Sequence, residues 1–328
     1  MNTSTNGIDL ADIVAKSSWV RIYFLAVISL VSIILNSICI FIFIRINNKL
    51  TLNIVYLISL SFFNVIKINS EFIFPLLEAT SSNSLNDIVC NIRYWFKYTS
   101  GEMCSWILVI IFIDRVRILN NRKPKPKPRH GRVYQSLIVV IILFAVFTLL
   151  NSTMFTLNTL KATLKPPLNV TKCVIQIRGF SEPIIMENVL NFSYFSATYS
   201  VFYCFLPFLL LIITNLITIK SVKSFKFVKS KINYRKSKEI NENVRILLMF
   251  SVFFILTSLP TQITSILSDF TNDKTLLSTF SIIYYCITIF ESLNNCFNIL
   301  IFILVNRRLK KDFFINVFNV FKNDFSKV

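Results

Sequence analysis

Glycine is nearly missing from this chain, with four in 328 residues, and histidine occurs once, as His130. Acidic residues number 16 against 35 lysines and arginines. Each shortage removes a class of function. The chain has no glycine-rich loop to cradle a phosphate, no paired histidines at metal-ligand spacing and no Cys-x-x-Cys. The single histidine sits in the basic segment RKPKPKPRHGR, which argues against histidine-based catalysis. Neither an enzyme nor a metal protein is indicated, and no cofactor is implied. A cleavable signal peptide is also not evident. MNTSTNGIDLADIVAKSSWVR is polar, starts without basic residues and leads into a full-length apolar run, so it reads as a short exposed tail.

What the chain does have is apolar surface. Hydrophobic residues make up 54%, phenylalanine alone numbers 33, and the mean hydropathy is strongly positive. A soluble protein of this size has too little interior to hide that much, so lipid is the expected solvent. The net charge of +19 could point to nucleic acid, but the bases cluster in short loops between apolar runs. That is the pattern of a cytoplasmic membrane face, where the same loops also touch anionic lipid.

A helix needs about 20 mostly apolar residues to cross the hydrocarbon core. Seven segments qualify, at 22–45, 51–78, 88–118, 133–155, 188–221, 243–268 and 275–304. The second and seventh hold more Asn, Ser and charge than a lone helix in lipid tolerates, so they are expected to face helical neighbours. The fold class is therefore all-α, a seven-helix membrane bundle at 22–304 with an amino-terminal tail at 1–21 and a carboxy-terminal segment at 305–328. Lys and Arg fill RINNKL, RVRILNNRKPKPKPRHGR, KSVKSFKFVKSKINYRKSKE and NRRLKK, all on one side if seven spans are real. By the positive-inside rule that side is cytoplasmic and the amino terminus lies outside. Glycosylation sequons at Asn2 and Asn169 fall on the expected outer face, whereas those at Asn151 and Asn191 lie close to or within spans.

One stretch, IFIDRVRILNN at 111–121, breaks an apolar run with an acid and two bases. Charges beside hydrocarbon mark a membrane boundary or a working site. In this register the chain resembles the rhodopsin-like (class A) G-protein-coupled receptors, as a divergent, peptide-receptor-like member. Asp114-Arg115-Val116 matches the family's Asp-Arg-Tyr signature, with Val for Tyr. Cys90, 24 residues before Asp114, stands where the family keeps its disulfide cysteine. That interval is about 36 Å of helix, enough to cross the membrane. Asn36 matches the span-one asparagine, and Asn64 stands for the span-two aspartate. Pro207 matches the span-five proline, and FILTSLP at 254–260 keeps Phe254 and Pro260 with Ser258 for tryptophan. NNCFNILIF at 294–302 keeps Asn298, with Ile299 and Phe302 replacing proline and tyrosine.

The resemblance implies roles. Arg115 is held by Asp114 at rest, with Glu239 or Glu242 as a further restraint, and meets a heterotrimeric G protein when the inner ends separate. Pro260, Asn298 and Phe302 belong to the same activation machinery, and Pro207 and Pro260 favour kinks because each removes a backbone hydrogen bond. A disulfide between Cys90 and Cys173 is implied; the other five cysteines lie in apolar segments, where thiols pack as small hydrophobes. NRRLKKDFF resembles the family's short amphipathic helix after span seven. With Asn64 and Cys104 replacing the aspartate and serine of the family's sodium pocket, no sodium dependence is expected.

Lys67, Glu71, Lys97, Glu102 and Glu291 are ionisable residues expected within spans, where such groups face a cavity or one another. Lys67 and Glu71 are spaced i,i+4 and can pair. The resemblance would bring Lys97 near Glu291. Structural pairing and ligand contact remain alternative readings for this set. Amine receptors of the family carry an aspartate where Lys97 stands, and the seventh span has no lysine for a retinal Schiff base. A peptide ligand is favoured, because the second outer loop is long and CVIQIR alternates like a hairpin strand. Rival readings are a chemosensory receptor for small molecules, a seven-span transporter or channel, and a non-signalling scaffold. Neither repeated halves nor paired Gly/Pro-broken spans support a transporter.

Overall fold

A segment in lipid must satisfy its backbone N–H and C=O groups internally, which leaves the helix as the available form for long apolar runs. The computed structural model describes residues 10–45, 54–80, 87–120, 129–152, 158–165, 168–175, 200–228, 249, 251–264, 267 and 274–305. Seven helical stretches occur among them. They are α1 (Leu10–Arg45), α2 (Ile54–Thr80), α3 (Asp87–Asn120), α4 (Arg129–Asn151), α5 (Leu206–Val228), α6 (Ser251–Thr264) and α7 (Lys274–Val305). A π-helical turn at Val201–Phe205 leads into α5.

Four stretches are long and apolar enough to cross a membrane among the described residues: Ile22–Ile44, Asn91–Asp114, Val133–Asn151 and Val201–Ser221. The helices α2 and α7 are comparably long, 27 and 32 residues, but carry the polar and charged groups seen in the sequence. α1 begins at Leu10, well before its membrane-length stretch. The expected amphipathic helix after span seven, the sequons at Asn2 and Asn191, and Glu239 and Glu242 lie outside the described residues.

The bundle closes around α3. It touches α2, α4 and α5, while α1 packs on α2 and α7, and α2 also meets α7. Of α3's membrane-length stretch 67% is buried, against 17% for α4, so α3 is the central post and α4 the peripheral one. Its buried face presents Met103, Cys104, Ile107, Leu108, Ile111 and Phe112 to Leu57, Leu60 and Phe63 of α2, Phe147 of α4, Leu211 of α5 and Phe254 of α6. The outward faces carry side chains such as Tyr23, Leu30, Ile141, Leu149 and Leu216, all more than half exposed, as a lipid-facing surface should.

Between apolar helices in lipid there is no hydrophobic gain on association, so polar pairs contribute to holding them. Ser29 of α1 donates to Asn69 of α2 at 2.7 Å, and the Cys104 thiol of α3 donates to Asn64 Oδ1 of α2 at 3.2 Å. Asn215 of α5 donates to Ser251 of α6 at 2.6 Å, and Asn294 of α7 donates to Thr257 of α6 at 2.8 Å. Many remaining hydroxyls turn back on their own helix: Thr214, Thr218, Thr261 and Thr288 each donate to the carbonyl four residues earlier.

The all-α expectation holds for the crossing part and needs one addition outside it. Strands β1 (Asn158–Lys165) and β2 (Leu168–Ile175) pair antiparallel, with Cys173 opposite Leu160. β1 lies against α3 and β2 against α2. The alternation read in CVIQIR begins at Cys173 inside β2.

Candidate ligand and switch site

The most polar point in the bundle is also one of the most buried. Lys67 of α2, Glu291 of α7 and Tyr203 of the π-turn are 2%, 3% and 1% exposed. The Lys67 ammonium lies 2.6 Å from Glu291 Oε1. It also donates to the Tyr203 hydroxyl, which in turn donates to the same Glu291 oxygen. The ammonium sits 4.8 Å from the centre of the Tyr203 ring, within cation–π range. Three elements that are far apart in sequence therefore converge on one carboxylate. A lone charge at this depth is costly, and the triad gives each charge the other as partner and adds a neutral hydroxyl that accepts from the ammonium and donates to the carboxylate.

Glu71 lies one turn further along α2, also buried, and accepts from the Ser292 hydroxyl of α7 at 3.2 Å. The triad thus has an extension in which α2 and α7 meet a second time. The i,i+4 spacing does put Lys67 and Glu71 on one face, but the close ion pair is made across the bundle with Glu291.

Glu291 was expected beside Lys97, and the structure assigns it to Lys67 instead. Depth along the helices explains the difference. Asn64 and Cys104 are level, since they are hydrogen bonded. Lys67 is three residues from Asn64, about 4.5 Å along the axis, whereas Lys97 is seven residues from Cys104, about 10.5 Å. Lys97 therefore stands about a turn further toward the Cys90 end. It is half-buried, with its ammonium 5.9 Å from the centre of the Tyr98 ring.

Glu102 belongs to a separate cluster. Its carboxylate is buried between α3 and α4 and accepts from the Asn151 amide at 2.7 Å, while that amide also reaches the Thr99 hydroxyl at 3.2 Å. Asn151, noticed in the sequence only as a sequon, is the last residue of α4 and 3% exposed.

Asp114, Arg115, Asn298, Phe302 and Pro260 fall at other positions along α3, α7 and α6. Asp114 and Arg115 follow Cys90 on the same unbroken helix, near its far end. Asn298 and Phe302 lie late in α7, and Pro260 lies in α6, its carbonyl accepting from Thr264 at 2.8 Å. Cys90 occupies the first turn of α3 and Cys173 lies in β2, whose hairpin rests on α2 and α3. Cys39, Cys104, Cys204, Cys286 and Cys296 are free thiols.

The charges stand out in the sequence, whereas two of their partners, Tyr203 and Asn151, do not. Tyr203, four residues before Pro207 in an apolar run, looks like any core aromatic. Asn151 carries a signal, an amide at the end of a span, that its place in an Asn-x-Thr sequon masks.

A continuous α3 at the centre of the bundle, Asp-Arg near one end of it and a cysteine at the other describe a helical membrane receptor. Over residues 35–302 the chain matches the family 7 transmembrane receptor (rhodopsin family), and it belongs to that family. It is accordingly a multi-pass membrane protein of a class that signals from extracellular ligands to G proteins. No curated protein matches it significantly.

The Glu102 cluster carries a test of its own. Asn151→Ala leaves a buried carboxylate without its amide donor, which should cost about 1–3 kcal/mol. The expected result is a lower unfolding temperature for the purified receptor. Deglycosylation should shift the mass of the variant and the wild type equally, because a buried amide is closed to the glycosylation machinery. An unchanged melting point, or a smaller glycan shift in the variant, would contradict this assignment.

Proposed function

We propose that this protein is a plasma-membrane receptor, amino terminus outside, that passes the binding of an extracellular peptide to a heterotrimeric G protein. It acts without enzymatic chemistry or a cofactor. The observation that carries the reading is the Lys67–Glu291–Tyr203 triad, an ionic cluster joining α2, α7 and the start of α5 in the middle of the bundle. Groups so placed can exchange partners when neighbouring helices move. The hairpin between α4 and α5 favours a peptide, since it offers an extended backbone at the mouth of the bundle.

In this reading the outer ends of the helices, with Lys97 above the triad, receive the ligand. Lys67, Glu71, Glu102 and Glu291 set the packing that the ligand biases. A ligand that binds one packing more tightly shifts the population toward it. At the opposite end α5 and α6 part from α3 and expose Arg115. Cys90 and Cys173 form a disulfide that ties the hairpin to α3, and Asn2 and Asn169 are glycosylated. Residues 1–21, 22–304 and 305–328 serve as outer tail, receptor body and cytoplasmic helix with tail.

The deciding experiment is a panel of peptides and metabolites on cells expressing the receptor, read as agonist-driven nucleotide exchange. Peptide responses support the reading; responses confined to metabolites make it a small-molecule chemosensor. Ion current or substrate flux without exchange would make it a channel or transporter. Topology has a separate check. An epitope at the amino terminus should be stained on intact cells, while Arg115→Cys should react with an impermeant maleimide only after permeabilisation. Non-reducing peptide mapping should recover residues 90 and 173 in one linked fragment. Both positions labelled from the same side would end the proposal.

A further inference from the structure

We propose that Asn151 is a positioning residue: with Glu102 and Thr99 it forms a clasp that fixes the root of the outer hairpin and so sets β1 along α3. The inference starts from how loosely α4 is packed. Of its membrane-length stretch 17% is buried, and Leu137, Ile141, Ile142 and Leu149 face outward. Apolar contact with a neighbouring helix gains little over contact with lipid tails, so polar bonds count for more in placing such a helix. Asn151, its last residue, supplies them. The side-chain amide has two N–H donors. It reaches Glu102 Oε2 at 2.7 Å and Thr99 Oγ1 at 3.2 Å. Glu102 and Thr99 are three residues apart on α3 and therefore share a face. All three residues are at most 3% exposed.

The clasp also marks where the chain leaves the helix. Directly after it, the Ser152 N–H and hydroxyl both donate to Leu149 O, at 3.2 and 2.6 Å, and this tight turn ends α4. Thr99 is nine residues from Cys90 on α3, about 13.5 Å of helix. Because Asn151 is level with Thr99 and Glu102, α4 stops well short of the Cys90 end of α3. β1 begins seven positions after Asn151 and lies against α3, while β2 lies against α2. The Cys90–Cys173 tie of the proposed function would hold the second strand. The clasp holds the approach to the first. Without it α4 is free to slide or turn in lipid, and the start of β1 goes with it. The bond has a direction as well, since the amide donates and the carboxyl oxygen accepts, and that direction can be reversed by substitution.

The clasp is made of contacts within the fold and stands whether or not the ligand is a peptide. The test is hydrogen–deuterium exchange, resolved by segment, on full-length receptor variants in nanodiscs. Asn151→Ala should speed exchange at 158–165 by about tenfold and leave α2 unchanged. Glu102→Gln keeps an oxygen that accepts from Asn151, so the hairpin should exchange as in the wild type, whereas Glu102→Leu should match Asn151→Ala. Asn151→Asp sets two carboxyl groups face to face and should open the hairpin as well. Asn151→Asp with Glu102→Gln reverses the bond, the amide now on α3 and the carboxylate on α4, and should restore protection at 158–165. A side chain that merely fills space predicts neither the sparing by Glu102→Gln nor the restoration. Unchanged exchange at 158–165 in Asn151→Ala would overturn the proposal, as would faster exchange spread equally over α2 and α4 or a reversed pair that leaves the hairpin open. Should Asn151→Ala fail to fold, Thr99→Val, which removes only the 3.2 Å contact, gives the decision. Exchange faster by about threefold at 158–165 supports the clasp, and no change overturns it.

Discussion

Lys67→Met on its own is expected to remove most of the folded receptor from the cell surface, and Glu291→Gln to do nearly the same. The two residues are 2.6 Å apart and each is at most 3% exposed, so neither can turn to water when its partner is lost. An orphaned charge of this kind costs about 3–5 kcal/mol. Against a total stability of about 5–15 kcal/mol, that is a large share, and it lowers the folded-to-unfolded ratio by more than about a hundredfold. Replacing both, as Lys67→Met with Glu291→Leu, removes the desolvated charges together and should return surface expression to near wild type. The decisive variant is the swap, Lys67→Glu with Glu291→Lys. Expression with normal signalling assigns the pair to packing alone, whereas expression without ligand response assigns it to recognition. If the single variants express normally, the triad is not what holds these helices in place.

Arg115→Ala should behave in the opposite way, expressing at wild-type level and losing agonist-driven nucleotide exchange by at least tenfold. The residue lies at the far end of α3 from Cys90, close to the helix terminus at Asn120. Its removal therefore leaves the buried triad and the Glu102 cluster untouched. Coupling between two sites is reciprocal, so added G protein should tighten agonist binding to the wild type and have no effect on the variant. Asp114→Asn, which frees the arginine at rest, should raise exchange in the absence of agonist. Retained exchange in Arg115→Ala would remove this residue from the coupling role.

How much of this was visible beforehand depends on what each feature is made of. The crossings at 22–45, 88–118 and 133–155 could be read directly, because lipid demands long apolar runs and α1, α3 and α4 contain them. The charges in the second and seventh segments were just as plain. Their pairing was not. Lys67 has Glu71 four residues away in sequence, and nothing in a one-dimensional pattern reports that α7 brings Glu291 closer. That depends on the depth and rotation of one helix against another, which many packed side chains decide together. The π-turn escaped for a related reason. Pro207 announces a missing donor, but whether the helix answers with a kink or an inserted residue depends on packing against other helices, which the local sequence does not report. The hairpin between α4 and α5 was half legible, its second strand signalled by alternation and its first strand not read at all.

The separation of Lys67 from Glu291 by 224 residues also bears on how the protein is made. A ribosome adds about 5–20 residues per second, so the second span enters the bilayer about 10–45 s before the seventh exists. During that interval an ammonium stands in hydrocarbon without its final counter-ion. Glu71, a turn away on the same helix, is the carboxylate at hand to neutralise it. The close spacing of those two groups thus makes sense as an arrangement that serves during biogenesis, before the last helix arrives.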